Sequence, residues 1–125
     1  MVLTEAVIKS IIQATPTVKV LRLQPKSKIS FKAGQWLDCY LDLVEGRAVA
    51  GYTMTSSPIE NMVELAVKYS ETNPVTMFIH CSVKTGDVLW IDGGKGDTYF
   101  EKGMAESLFL IAGGIGITPI MSIIR

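Results

Sequence analysis

The stretch with the most evident chemistry is "AGGIGITP", residues 112–119. Gly113, Gly114 and Gly116 follow the apolar run "LFLIA" and precede "ITPIMSIIR", in which Thr118 and Pro119 fall in the first turn of an expected helix. Glycines let a backbone turn tightly and come close to a pyrophosphate, and the free N–H groups and dipole of the following helix attract the anion. The spacing is Gly114-x-Gly116-x-x-Pro119, with proline where the common dinucleotide fingerprint has its third glycine. By itself such a turn reads equally as a plain strand-to-helix connection. The strand-like run before it and the helix start after it favour the phosphate reading.

The other chemistry-bearing residues point nowhere so clearly. Cys39 and Cys81 are far apart and form no C-x-x-C pair, so both read as reduced, buried, small side chains. With a single histidine beside them there is no zinc or iron–sulfur ligand set. His80 follows an apolar helical stripe and is not assigned as a base, while Glu64, Asp87 and Asp92 read as ordinary strand and turn acids. Twelve basic and twelve acidic residues cancel, which removes the electrostatic case for nucleic acid or an anionic membrane surface as main partner. No apolar run reaches the ~20 residues that span a bilayer. The N-terminus has neither signal-peptide nor Arg-rich transit character.

The elements that must position the turn are mostly strands. A chain of 125 residues, 48% hydrophobic, suffices for one domain with a core. "VKVLRLQP" ends at Pro25, and "KISFKAGQWLDCYLDL" turns at Ala33-Gly34 into a strand with Trp36, Cys39 and Leu41. "VAGYTMTSSP" is β-branched and aromatic. "MVELAVKYS" alternates, with Val63, Leu65 and Val67 on one face and Glu64, Ala66 and Lys68 on the other. "TNPVTMFIHC" predicts a short helix with Asn73 as N-cap, Pro74 in the first position, and Val75, Phe78 and Ile79 on one side. "VLWID" is a further strand and "GGKGDTYFEKG" a glycine-rich loop. Residues 108–112 predict a strand covered on both faces, as in a parallel sheet. Strands at this spacing argue for a closed or sandwich-like antiparallel sheet, followed by the first strand–turn–helix of an α/β unit.

Taken in order, "GYTMTSSP", "VELAVKY", "TGDVLWIDGGKG" and "FLIAGGIGITPIMSIIR" resemble the ferredoxin–NADP reductase superfamily. The wording is nearest to its oxidoreductase NAD-binding domain-containing members. The resemblance implies a mainly β fold: a six-stranded antiparallel Greek-key flavin-binding barrel with one short helix, residues 1–104. Residues 105–125 would begin a Rossmann-like NAD(P)-binding domain. It implies an NAD(P)H-dependent flavin oxidoreductase that passes hydride from NADH or NADPH to FAD, with FMN possible, and electrons on to an unidentified acceptor. The alternative is a non-catalytic flavin-binding or flavin-dead barrel acting as an interaction domain.

The family's flavin motif, Arg-x-Tyr-Ser/Thr, falls on Ala50, Gly51, Tyr52 and Thr53. Tyr52 would pack on the isoalloxazine and Thr53 would place its hydroxyl near the reacting nitrogen, the one catalytic role assigned. Ala50 replaces the arginine that neutralises the pyrophosphate. Arg47 stands three residues upstream and reads equally as its substitute or as a solvated loop charge. The family's Gly-x-x-Ser/Thr stretch falls on Asn73 to Thr76, where Thr76 fits and Pro74 removes a donor. Lys68 matches a lysine beside the flavin and reads equally as an outward strand lysine. Gly113, Gly114, Gly116, Thr118 and Pro119 would hold the pyridine nucleotide. A location in the cytoplasm or mitochondrial matrix follows from the resemblance alone. A helix of about eight residues is below the ~12–15 that are marginal alone. The expectation is therefore either a piece of a longer protein, which is preferred, or a tail that packs back on the barrel or onto a partner.

Overall fold

The computed structural model describes residues 3–44, 46–97, 99–105, 107, 109–113 and 116–125. Among these residues six strands and two helices are formed: β1 Thr4–Thr15, β2 Val18–Pro25, β3 Trp36–Leu43, β4 Gly46–Thr53, β5 Val63–Lys68, α1 Pro74–Cys81, β6 Val88–Lys95 and α2 Ile117–Ile124. The strands make one antiparallel sheet in the order β4-β3-β6-β1-β2-β5, a Greek-key arrangement.

Period-two alternation gives each strand one inward row. Ala6 and Ile8, Leu21 and Leu23, Leu37, Cys39 and Leu41, Val63, Leu65 and Val67, and Leu89 and Ile91 meet in a single core. Each fully buried Leu or Ile contributes about 2–3 kcal/mol by leaving water. β1 escapes sequence-level reading because a bulge between Ile8 and Ser10 breaks its alternation, so that Ile11 rather than residue 10 packs on the core.

The sheet curls until its edges, β4 and β5, meet through the Met54–Leu65 bridge. A ladder continued from that bridge would set Tyr52 opposite Val67 and Gly51 opposite Lys68. No such pairing is made, and β4 and β5 part to leave a seam. Helix α1 lies against both strands there. Its expected cap is present: Asn73 Oδ1 accepts from the N–H groups of Val75 at 2.9 Å and Thr76 at 3.3 Å, with Pro74 first in the helix. His80 fastens the helix, its Nε2 lying 2.8 Å from the Val67 carbonyl and its ring edge-on to Tyr69.

Two expectations about the glycine-rich segments are corrected. β6 runs on through Gly93 and Gly94 rather than ending at Asp92. A Cβ on Gly94, at φ +79°, would stand 2.6 Å from the Ser30 carbonyl oxygen, so the glycines admit the 29–31 segment against the strand. The strand expected at 108–112 is not formed among the described residues 109–112, and Phe109 and Ile111 are exposed. A parallel-type strand needs a neighbour to take its hydrogen bonds, and every described strand pairs within the barrel. Helix α2 does form at the expected place.

Candidate functional site

Tyr52 and Thr53 end β4 beside the Met54–Leu65 bridge, where the seam begins, with Tyr52 opposite Leu37 and Thr53 opposite Trp36 on β3. Tyr52 follows Ala48 and Ala50 on the inward row and packs on the core. Its hydroxyl is buried, and no described residue makes a hydrogen bond to it. Burial, with a smaller contribution from Cys39, raises its pKa far above the usual tyrosine value, so it stays protonated. The next residue, Thr53, is half-buried. Lys68 is exposed at the end of β5 on the other side of the seam.

The expected phosphate-binding stretch on α1 is differently employed. Thr76 is buried, and its hydroxyl donates to the Ser70 and Asn73 carbonyls while accepting from the Ser70 N–H, which ties down the β5–α1 loop. The first-turn N–H groups already serve Asn73. Arg47 pairs with its cross-strand neighbour Asp42 at 2.9 Å and does not reach the motif position. Cys39 is buried, its thiol pushed up to about 12 by burial and the nearby Asp38 and Asp92 carboxylates. Cys81 is exposed, contrary to the expectation that both cysteines are buried, because it lies at the solvent side of the last turn of α1.

The glycine turn and the barrel come together through α2. Gly116 N–H closes a turn on the Gly113 carbonyl at 3.1 Å, both glycines are exposed, and Pro119 is half-buried. Gly114 lies outside the described residues. Thr118 and Ser122 are buried, and Ser122 Oγ donates to the Ser56 carbonyl at 2.7 Å. Arg125 donates to Glu64 Oε1 at 2.5 Å and to the Thr55 carbonyl at 3.2 Å.

Glu64 is the residue sequence reasoning missed. Read as an ordinary strand acid, it lies on the outer row of β5 and yet is only 8% exposed. It accepts from Thr55 Oγ1 at 2.7 Å, from Arg22 at 2.8 Å and from Arg125. Burial alone would raise its pKa, but the Thr55 hydrogen bond and the two guanidinium groups outweigh that and hold it below the usual value. Its pairing with Arg22 follows from the β2–β5 register, which no local pattern announces. Asp92, also read as an ordinary acid, is buried and shares Lys95 with Asp38, at 3.3 and 2.5 Å.

The chain and its fold are similar to those of known proteins. The oxidoreductase FAD-binding domain family matches residues 5–100. The human oxidoreductase NAD-binding domain-containing protein 1 is 38% identical over 119 residues, covering 89% of this chain and 37% of that protein. The phenol hydroxylase P5 protein of Acinetobacter pittii (strain PHEA-2) is 32% identical over 121 residues, covering 96% of this chain and 34% of its own length. A ferredoxin NADP+ reductase from Neisseria gonorrhoeae, solved with bound FAD and NADP, superposes with a TM-score of 0.76 at 20% identity, over 98% of this chain and 50% of that one. The chain thus spans little more than a third of the length of these two relatives. Among the described residues no helix is long and apolar enough to cross a membrane. The match over most of the chain and the six-stranded barrel agree: this chain belongs to the oxidoreductase FAD-binding domain family, of ferredoxin–NADP reductase-like fold.

Proposed function

We propose that the barrel, residues 1–104, binds the ring system of a flavin at the β4–β5 seam, and that residues 105–125 begin the unit that brings NAD(P)H to it. The observation that carries this reading is Tyr52: an aromatic side chain at the seam whose buried hydroxyl has no described partner, on the motif strand of a FAD-binding family. A buried hydroxyl without a partner costs about 1–3 kcal/mol, and a polar ligand edge entering the seam would relieve it. Thr53, one residue on, would offer its hydroxyl to the reacting edge, and Lys68 would add positive charge from the opposite strand. Met54 and Leu65, both fully buried, close the barrel beneath and keep water from that side.

When bound, the flavin would supply the redox chemistry, accepting hydride from NAD(P)H and releasing electrons to an acceptor. The chain's own contribution is alignment: Tyr52 and Thr53 on one side, the Gly113–Pro119 turn with Thr118 on the other. The ring end of the site fits a flavin better than the phosphate end does. Ala50 carries no charge, and Asn73 occupies the first-turn N–H groups of α1. The dinucleotide form must therefore draw on other donors, or displace Asn73, and FMN remains an admissible ligand.

The test is direct. The purified protein incubated with FAD or FMN should retain flavin absorbance near roughly 450 nm, bleached by NADH or NADPH under anaerobic conditions. Retained flavin that neither nucleotide bleaches would leave only a flavin-binding module. A protein that retains no flavin would end the reading altogether.

A further inference from the structure

Helix α2 meets the barrel with the side that its sequence makes polar. Thr118, Ser122 and Arg125 stand at i, i+4 and i+7, on one helix face. Thr118 and Ser122 are its two buried residues, while Ile117 and Ile124 are exposed. Ile120, Met121 and Ile123 are half-buried, so apolar contact contributes, but the fully buried residues of the helix are both polar. Specific hydrogen bonds and an ion pair add the constraint on its orientation. Two of its barrel partners lie just beyond the motif strand: the Thr55 and Ser56 carbonyls are two and three residues after Thr53. Glu64 grips the same two residues from behind, through Thr55 Oγ1, through its own N–H to Ser56 Oγ at 3.1 Å, and through its carbonyl to Thr55 N–H at 2.9 Å.

We propose that Glu64, Ser122 and Arg125 form a clasp that sets the position of the glycine turn relative to Tyr52 and Thr53. They are positioning residues for hydride delivery. This rests on the reductase reading above. The turn at Gly116 lies six residues before Ser122, roughly 9 Å along the helix axis. A clasp at the far end therefore acts as a lever, because a small tilt of α2 displaces the turn and leaves the seam intact. Misplacement by about 1 Å is enough to slow an oriented transfer by about a hundredfold. Arg22 pairs with the other Glu64 oxygen at 2.8 Å, so the carboxylate has a second cationic partner that helps fix its orientation.

The variants are Arg125→Ala, Arg125→Lys and Ser122→Ala, made in the intact protein. The hydrogen bonds and ion pair described for these two side chains go to Thr55, Ser56 and Glu64 rather than to Tyr52 or Thr53. In Arg125→Ala and Ser122→Ala, amide exchange in residues 120–124 should quicken by about tenfold or more. The limiting rate of flavin reduction at saturating NAD(P)H should fall at least about fivefold, with the half-saturating nucleotide concentration and the flavin affinity within about twofold of wild type. Arg125→Lys should recover most of both. A loss confined to nucleotide affinity would overturn the positioning role, as would faster exchange with an unchanged limiting rate. Unchanged exchange would overturn the clasp itself. A wild-type protein whose flavin no nucleotide reduces refutes the reductase reading instead, and the clasp then stands or falls on the exchange rates.

Discussion

Replacing Tyr52 by phenylalanine should stabilise the flavin-free protein and weaken flavin binding. The first half follows from the structure alone. The hydroxyl is buried with no described partner, and such a group costs about 1–3 kcal/mol against its hydrated unfolded state. Removing one oxygen leaves a void of roughly 15 Å³, which costs about 0.4 kcal/mol at 24 cal/mol per Å³. The net gain is about 1 kcal/mol. With an unfolding entropy of about 260 cal/mol/K for 125 residues, Tm should rise by about 4 °C. The second half comes from the proposed function: if the hydroxyl finds its partner in the flavin, the variant loses about 1 kcal/mol of binding, roughly a fivefold rise in Kd. Differential scanning fluorimetry without flavin and fluorescence titration with FAD and FMN read the two effects separately. A fall in Tm in the flavin-free protein would refute the account of Tyr52 as an unpartnered group, whatever the titration shows.

Other outcomes follow from individual contacts. Gly94→Ala should cost about 2 kcal/mol or more, visible in urea unfolding, because φ is +79° and the new Cβ would stand 2.6 Å from the Ser30 carbonyl oxygen. Asn73→Gly costs only a few tenths of a kcal/mol as a cap, but it releases the Val75 and Thr76 N–H groups. Under the proposed function it should shift the FAD-to-FMN affinity ratio toward FAD, and an unchanged ratio would show that α1 plays no part in phosphate binding. Glu64 titrates below its ordinary value of 4.5 in the folded protein. Its contribution to stability is therefore complete above that value and is lost as the pH falls through the lowered folded-state pKa. Thermal melts between about pH 6 and about pH 3 should show this loss in the wild type and a flatter profile in Glu64→Gln.

Local patterns carried much of the architecture. The alternation of Val63, Leu65 and Val67, the Asn73-Pro74 start of α1, and the apolar run leading into a glycine turn are statements about neighbours in the chain. Backbone periodicity and capping chemistry are local, so they are legible before any fold exists. The ordered motifs likewise named the family. Three things were not legible. β1 hid behind its bulge, since an extra residue reverses which side chains face inward. Residues 109–112 read as a strand from their apolarity, but a strand is defined by the neighbour that takes its hydrogen bonds, and no described strand runs beside them.

The third concerns the candidate site. The family resemblance marked Tyr52, Thr53 and Thr76 as candidates, and residue spacing marked the Gly113–Pro119 turn. Only the fold put Tyr52 at a seam with its hydroxyl unpartnered, and spent the Thr76 hydroxyl on the loop before α1. Glu64 shows the reason most clearly. Its environment is made by Arg22, 42 residues earlier, and Arg125, 61 residues later. Charge, burial and hydrogen bonding at a site are sums over groups brought together from distant parts of the chain. The amino-acid sequence by itself determined most of the local elements and the family they belong to; the tertiary structure decided which apolar runs pair as strands and what each polar side chain is left free to do.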